Sequence, residues 1–127
     1  MDDDNMGDDG GPDLEWECQM FVAASSGERL VERLAAVLGV PHGVVGAGAQ
    51  PALTYGCVEV EWDNNGYEGT GGGDDFLDWH SLLVCQPRAG ASRDEVVADM
   101  ATILRGVREA GYRAVPSCTY EELLPLP

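Results

Sequence analysis

The sequence predicts an α+β domain, a two-layer sandwich of β-α-β-β-α-β, ferredoxin-like type. Its four-stranded antiparallel sheet would carry two helices on one face. Three observations predict it. Leu14, Trp16, Cys18, Met20 and Val22 alternate with polar residues such as Glu15, Glu17 and Gln19, the period of a half-buried strand. Two later stretches carry apolar residues at spacings of three and four behind a serine-led start, the period of an amphipathic helix. Two more strand-like runs lie between those helices, and a short one follows the second.

In chain order, residues 1–13 hold six Asp, three Gly and one Pro. Such a stretch buries too little apolar surface to offset the entropy of ordering it, and it is expected as a disordered acidic tail. The single domain then runs over residues 14–127. After the first strand, Ser25-Ser-Gly-Glu28 reads as a capping box. Leu30, Leu34 and Leu38 with Val31, Ala35 and Val37 form one helical face, and Gly39 supplies the stop. Residues 40–53, rich in Gly, Pro and Ala, read as a connection. Thr54 to Trp62 reads as the second strand, with Val58, Val60 and Trp62 inward and Tyr55, Cys57, Glu59 and Glu61 outward. A turn and a Gly- and Asp-rich loop lead to Asp75, and Phe76 to Cys85 is the third strand, apolar on both faces as a central strand is. Ser92-Arg-Asp-Glu95 is a second capping box, followed by Val96, Met100, Ile103 and Val107 on one helical face up to Gly111. Tyr112 to Val115 makes the last strand, stopped by Pro116.

The 127 residues carry a formal charge of −16. Residues 1–28 hold nine acids and no base, and residues 34–87 hold seven acids and no base. The last forty residues are nearly balanced by five arginines, and lysine is absent throughout. This balance argues against binding nucleic acid or an anionic membrane surface, both of which attract basic patches. No apolar run approaches the roughly 20 residues of a bilayer span. Cys18, Cys57, Cys85 and Cys118 lack zinc-finger spacings. With no secretory signal at the N-terminus, they are expected as buried free thiols in a reducing cytoplasm.

No catalytic constellation survives inspection. Asp78, His80 and Ser81 are hydrolase residue types. On a strand, however, His80 and Ser81 face opposite sides and cannot share a proton. The acids around residues 63–75 offer hard oxygen ligands, yet their spacing matches no calcium loop. A non-enzymatic role without cofactor or metal is the expectation. The helix-free sheet face would then present Glu15, Glu17, Glu59, Glu61 and Asp78 with His80, and Tyr55 as an apolar anchor. Such a face suits a basic protein partner. The alternative is a small-molecule-binding or homodimeric regulatory module.

The segment Phe76-Leu-Asp-Trp79-His-Ser-Leu-Leu and the run from Gly111-Tyr112 through Cys118-Thr-Tyr-Glu-Glu-Leu-Leu-Pro125 resemble small acidic proteins of Streptomyces and related actinobacteria. Those often end in an Ala-Cys-Asp-Phe-Glu-Asp-Glu-Leu-Pro-like run. The resemblance covers residues 76–125. It implies a compact α+β domain and, since some proteins of this size and acidity are immunity proteins of toxin systems, an inhibitor-like role. It transfers no catalytic residue.

Overall fold

A computed structural model describes residues 16–64 and 80–124. Its elements are β1 (Cys18–Val22), α1 (Gly27–Leu38), β2 (His42–Val45), β3 (Gln50–Tyr55), β4 (Val58–Asn64), β5 (Ser81–Pro87), α2 (Arg93–Glu109) and β6 (Ala114–Ser117), followed by a 3-10 turn at Glu121–Leu123. The strands form one open antiparallel sheet in the order β2-β3-β4-β5-β1-β6. The α+β class stands, but the sheet has six strands where four were expected. The expected acidic tail, Glu15, Asp78 and most of the 63–75 loop lie outside the described residues.

The two additional strands arise where the chain reads as connection and as one long strand. Val44 and Val45 are β-branched and favour extended backbone, and Gly46 (φ 76°) with Ala49 (φ 53°) turns the chain back into β3. Thr54 to Trp62 is likewise not one strand. Gly56, at φ 58°, reverses the chain within a two-residue loop, so Tyr55 and Val58 end opposite one another. A left-handed glycine in a two-residue loop is a hairpin signal, obscured here by the apolar alternation that continues across it.

The helices follow their sequence signals, except that Val37, expected on the buried face of α1, is exposed. Ser26, one residue later than expected, caps α1 by accepting from the Arg29 amide at 3.2 Å. Gly39 closes it in the left-handed region at φ 74°. Ser92 and Glu95 form the full capping box of α2. Both helices feed one core in which Met20, Leu30, Leu34, Leu83, Met100, Ile103 and Leu104 are fully buried. A Cβ on Gly106 would stand 3.0 Å from Leu34 Cδ1, so the bare glycine lets α2 approach α1 closely. Strand β6 runs through Pro116 rather than stopping there, with Pro116 opposite Met20. An edge strand tolerates a residue without an N–H.

Three hydrogen bonds around the buried Ser81 and Tyr120 join segments distant in the chain. The Ser81 hydroxyl donates to the Ala24 carbonyl at 2.6 Å and accepts from Trp62 Nε1 at 2.9 Å. The Tyr120 hydroxyl donates to the Trp16 carbonyl at 2.6 Å. Among the described residues no helix is long and apolar enough to cross a membrane.

Candidate functional site

The sheet register sorts every strand residue onto one of two faces. Gly43, Ala52, Glu61, Val84, Gln19 and Ser117 form a single row across all six strands. Side chains two residues away share a face, so the row Thr54–Glu59–Gln86 lies beside it, as does Asp63–Leu82–Phe21–Val115. The opposite face holds Leu53, Val60, Cys85 and Cys18, which pack into the core with the helices. Glu59 and Glu61 therefore stand on the helix-free face, both exposed. Glu17 joins them, because its carboxylate accepts from Gln86 Nε2 at 2.9 Å.

These carboxylates are not packed against one another across strands. Glu59 lies between Thr54 and Gln86, and Glu61 between Ala52 and Val84. Like charges directly opposite would be destabilising. Neutral lateral neighbours avoid that cost while leaving the charges on one surface. A groove of about 510 Å³ runs over this part of the face, lined among others by Gly43, Ala52, Thr54, Glu59, Glu61 and Val84. Its floor is low because the row contributes a glycine and an alanine beside the strand edge. At the far end Phe21 is buried despite its place on this face, so the exposed acidic portion is the β3–β4 end.

Tyr55 is a correction. It opposes Val58 on the helix side and packs against the core, so it is no anchor on the acidic face. The two-residue turn at Gly56-Cys57 is the cause, since it resets the alternation that placed Tyr55 with Glu59. His80 lies just before β5, half-buried, its ring 6.3 Å from that of Trp62. Trp62 belongs to the core side, which places the His80 ring beside the core-side edge rather than among the glutamates. The structure thus brings together Glu17, Glu59 and Glu61 and separates Tyr55 and His80 from them. Val84 sits on the outward face, where alternation expects it, whereas sequence reading misses Gly43 and Ala52 because they lie in a segment that reads as a connection.

Other reactive groups have structural partners. The Ser81 hydroxyl is occupied by Ala24 and Trp62. Cys85 and Cys18 are cross-strand partners, and the Cys118 thiol is hydrogen-bonded to Cys18. That contact, with burial, raises the Cys18 thiol far above its ordinary value, and burial does the same to Cys85. Burial and then the Asp99 carboxylate push the Cys57 thiol up to about 11. Protonated thiols are poor nucleophiles and poor metal ligands. Among the described residues, no three His, Cys, Asp or Glu side chains are arranged to hold a metal ion.

Comparisons with protein-family models, with curated proteins and with solved structures find no match for this chain.

Proposed function

We propose that the chain is a non-enzymatic, cytoplasmic interaction protein that binds a basic protein partner through its helix-free sheet face, in the manner of an immunity or antitoxin-like inhibitor. The observation that carries this reading is the clustering of Glu17, Glu59 and Glu61 on one face, along a groove with an apolar floor. No arginine lies in any of the six strands, whereas α1 holds two acids and two arginines. The sheet is therefore acidic and α1 is balanced. Complementary charge accelerates association and makes it sensitive to salt. A ferredoxin-like layout for the β6-β1-β5-β4 part of the sheet belongs to the same proposal. In it, the β2–β3 hairpin is an addition at one edge.

The test is charge reversal with a matched control. Polyarginine serves as the basic probe, titrated at about 0.05 M and about 0.3 M salt, on either side of the ionic strength at which surface charges become well screened. The pair Glu59→Lys and Glu61→Lys should weaken binding far more than Glu32→Lys with Glu109→Lys, which changes the net charge equally on the helices. Equal weakening by the two pairs would show that only the global charge acts. The groove volume falls in the range of small-molecule sites, which supports a ligand-binding module as the second reading. A metabolite that raises the melting temperature and is displaced by Gly43→Val would favour it.

A further inference from the structure

The first edge of the sheet has properties that its acidic face alone does not explain. Strand β2 is terminal in the strand order, and all four of its residues are exposed, Val44 at 64% and Val45 at 44%. Natural edge strands are usually blunted by lysine, proline or a bulge. Residues 42–45, His-Gly-Val-Val, contain none of these. The opposite edge, β6, carries Pro116.

The register shows which backbone groups face outward. Val44 lies opposite Pro51. Proline has no N–H, so this pair cannot be one of the doubly hydrogen-bonded pairs of an antiparallel ladder. The doubly bonded pairs are then Gly43–Ala52 and Val45–Gln50, because the two kinds alternate. The tight turn between Tyr55 and Val58 gives the same phase when counted from the other side of β3. The N–H and C=O groups of His42 and Val44 therefore point away from the sheet. Among the described residues they have no partner.

We propose that β2 accepts an extended, arginine-bearing segment of the partner as a seventh strand. One arginine of that segment would lie across Gly43 and Ala52 to reach Glu61. This assignment rests on the acidic-face reading and names the part of the partner that the face would take. Main-chain bonds to His42 and Val44 supply the pairing, as in other cases of strand addition. An added strand would stand three strand spacings, about 14 Å, from β4. Arginine and glutamate side chains bridge that span together because the intervening residues raise no bulky side chain. A Cβ built on Gly43 meets nothing within 4 Å, so the shelf is open. A second copy of this chain fits the edge poorly. It has no arginine in any strand to offer, and pairing would bring two chains of −16 together.

The probe is a short end-blocked peptide of alternating valine and arginine, alongside the same peptide N-methylated on alternate residues. Both carry equal charge, but with the methyls on the valines the second lacks the N–H groups that would face β2 when the arginines share the face of Gly43. The unmethylated peptide should bind, and methylation should weaken it at least about tenfold, as expected for losing several edge hydrogen bonds. Val44→Pro removes an outward donor without touching the β2–β3 ladder. It should weaken the peptide similarly while the protein keeps its thermal transition. Gly43→Val, which fills the shelf, should weaken it too.

Equal binding of the two peptides, or no binding of either, would overturn strand addition. In the first case, weakening by Glu59→Gln with Glu61→Gln would leave the acidic-face reading standing. Methylation-sensitive binding that ignores those two substitutions would overturn the arginine contact and, with it, the acidic-face reading. A chain that sediments as a dimer, dissociated by Val44→Pro and not by the peptide, would assign the edge to a second copy instead.

Discussion

Ser81 is the most consequential single polar residue of the core. Its hydroxyl serves a backbone carbonyl and an indole N–H at once, in a fully buried position. Ser81→Ala strands both partners, and leaving buried groups unpaired costs about 1–3 kcal/mol. Chemical denaturation should show that loss with the fold retained. The thiols give a second residue-scale expectation. Cys57, Cys18 and Cys85 all hold their protons to higher pH in the fold than in the unfolded chain. The unfolded chain therefore releases protons first, and stability falls as pH rises. It should be whole below the ordinary thiol range, about 9, and decline from there through about 11, the value to which burial and Asp99 push Cys57. Urea midpoints measured across that window check the sign. At this scale the sequence was legible where neighbours decide and illegible where a turn intervenes. Glu59 and Glu61 were placed by simple alternation with Val58 and Val60. Tyr55 was misplaced because the Gly56-Cys57 loop shifts its phase against them.

At the scale of elements, helices were easier to read than strands. Ser92 and Glu95 name the start of α2 chemically, and both reciprocal contacts form. Ser92→Ala should cost about 1 kcal/mol, the usual loss for a capping hydroxyl, measured by thermal or chemical denaturation. Gly27 shows a requirement of a different kind. A Cβ there would collide with the Trp62 ring, although a glycine at the first turn of a helix looks replaceable. Gly27→Ala should therefore destabilise by about 1–3 kcal/mol through overpacking, despite alanine's better helix propensity. If alanine stabilised the protein instead, the close packing of Trp62 on α1 would be wrong. The β2–β3 hairpin was missed because its signals are weak. Its first strand is short and exposed on both sides, so it has no hydrophobic period to read, and its glycines resemble those of a loop.

Over the whole molecule, the charge of −16 acts as a destabilising self-repulsion as well as supplying the acidic face proposed to meet a partner. Salt should raise the melting temperature at low ionic strength, because screening weakens that repulsion. The increment should be smaller in Glu59→Gln with Glu61→Gln than in the parent, if these two residues contribute a concentrated part of the repulsion. The same substitutions that weaken partner binding should thus leave the free protein no less stable.

Composition and local periodicity were enough to specify an acidic α+β domain, its two capped helices, their buried faces and the outward glutamates of β4. These follow from interactions within a few residues, which a linear pattern records. The number of strands, the core-side placement of Tyr55, the shelf of Gly43 and Ala52 and the open edge of β2 came only with the folded sheet. Each depends on register between segments distant in the chain. Register is fixed by turns that reset the alternation and by cross-strand partners, neither of which a single strand's pattern contains.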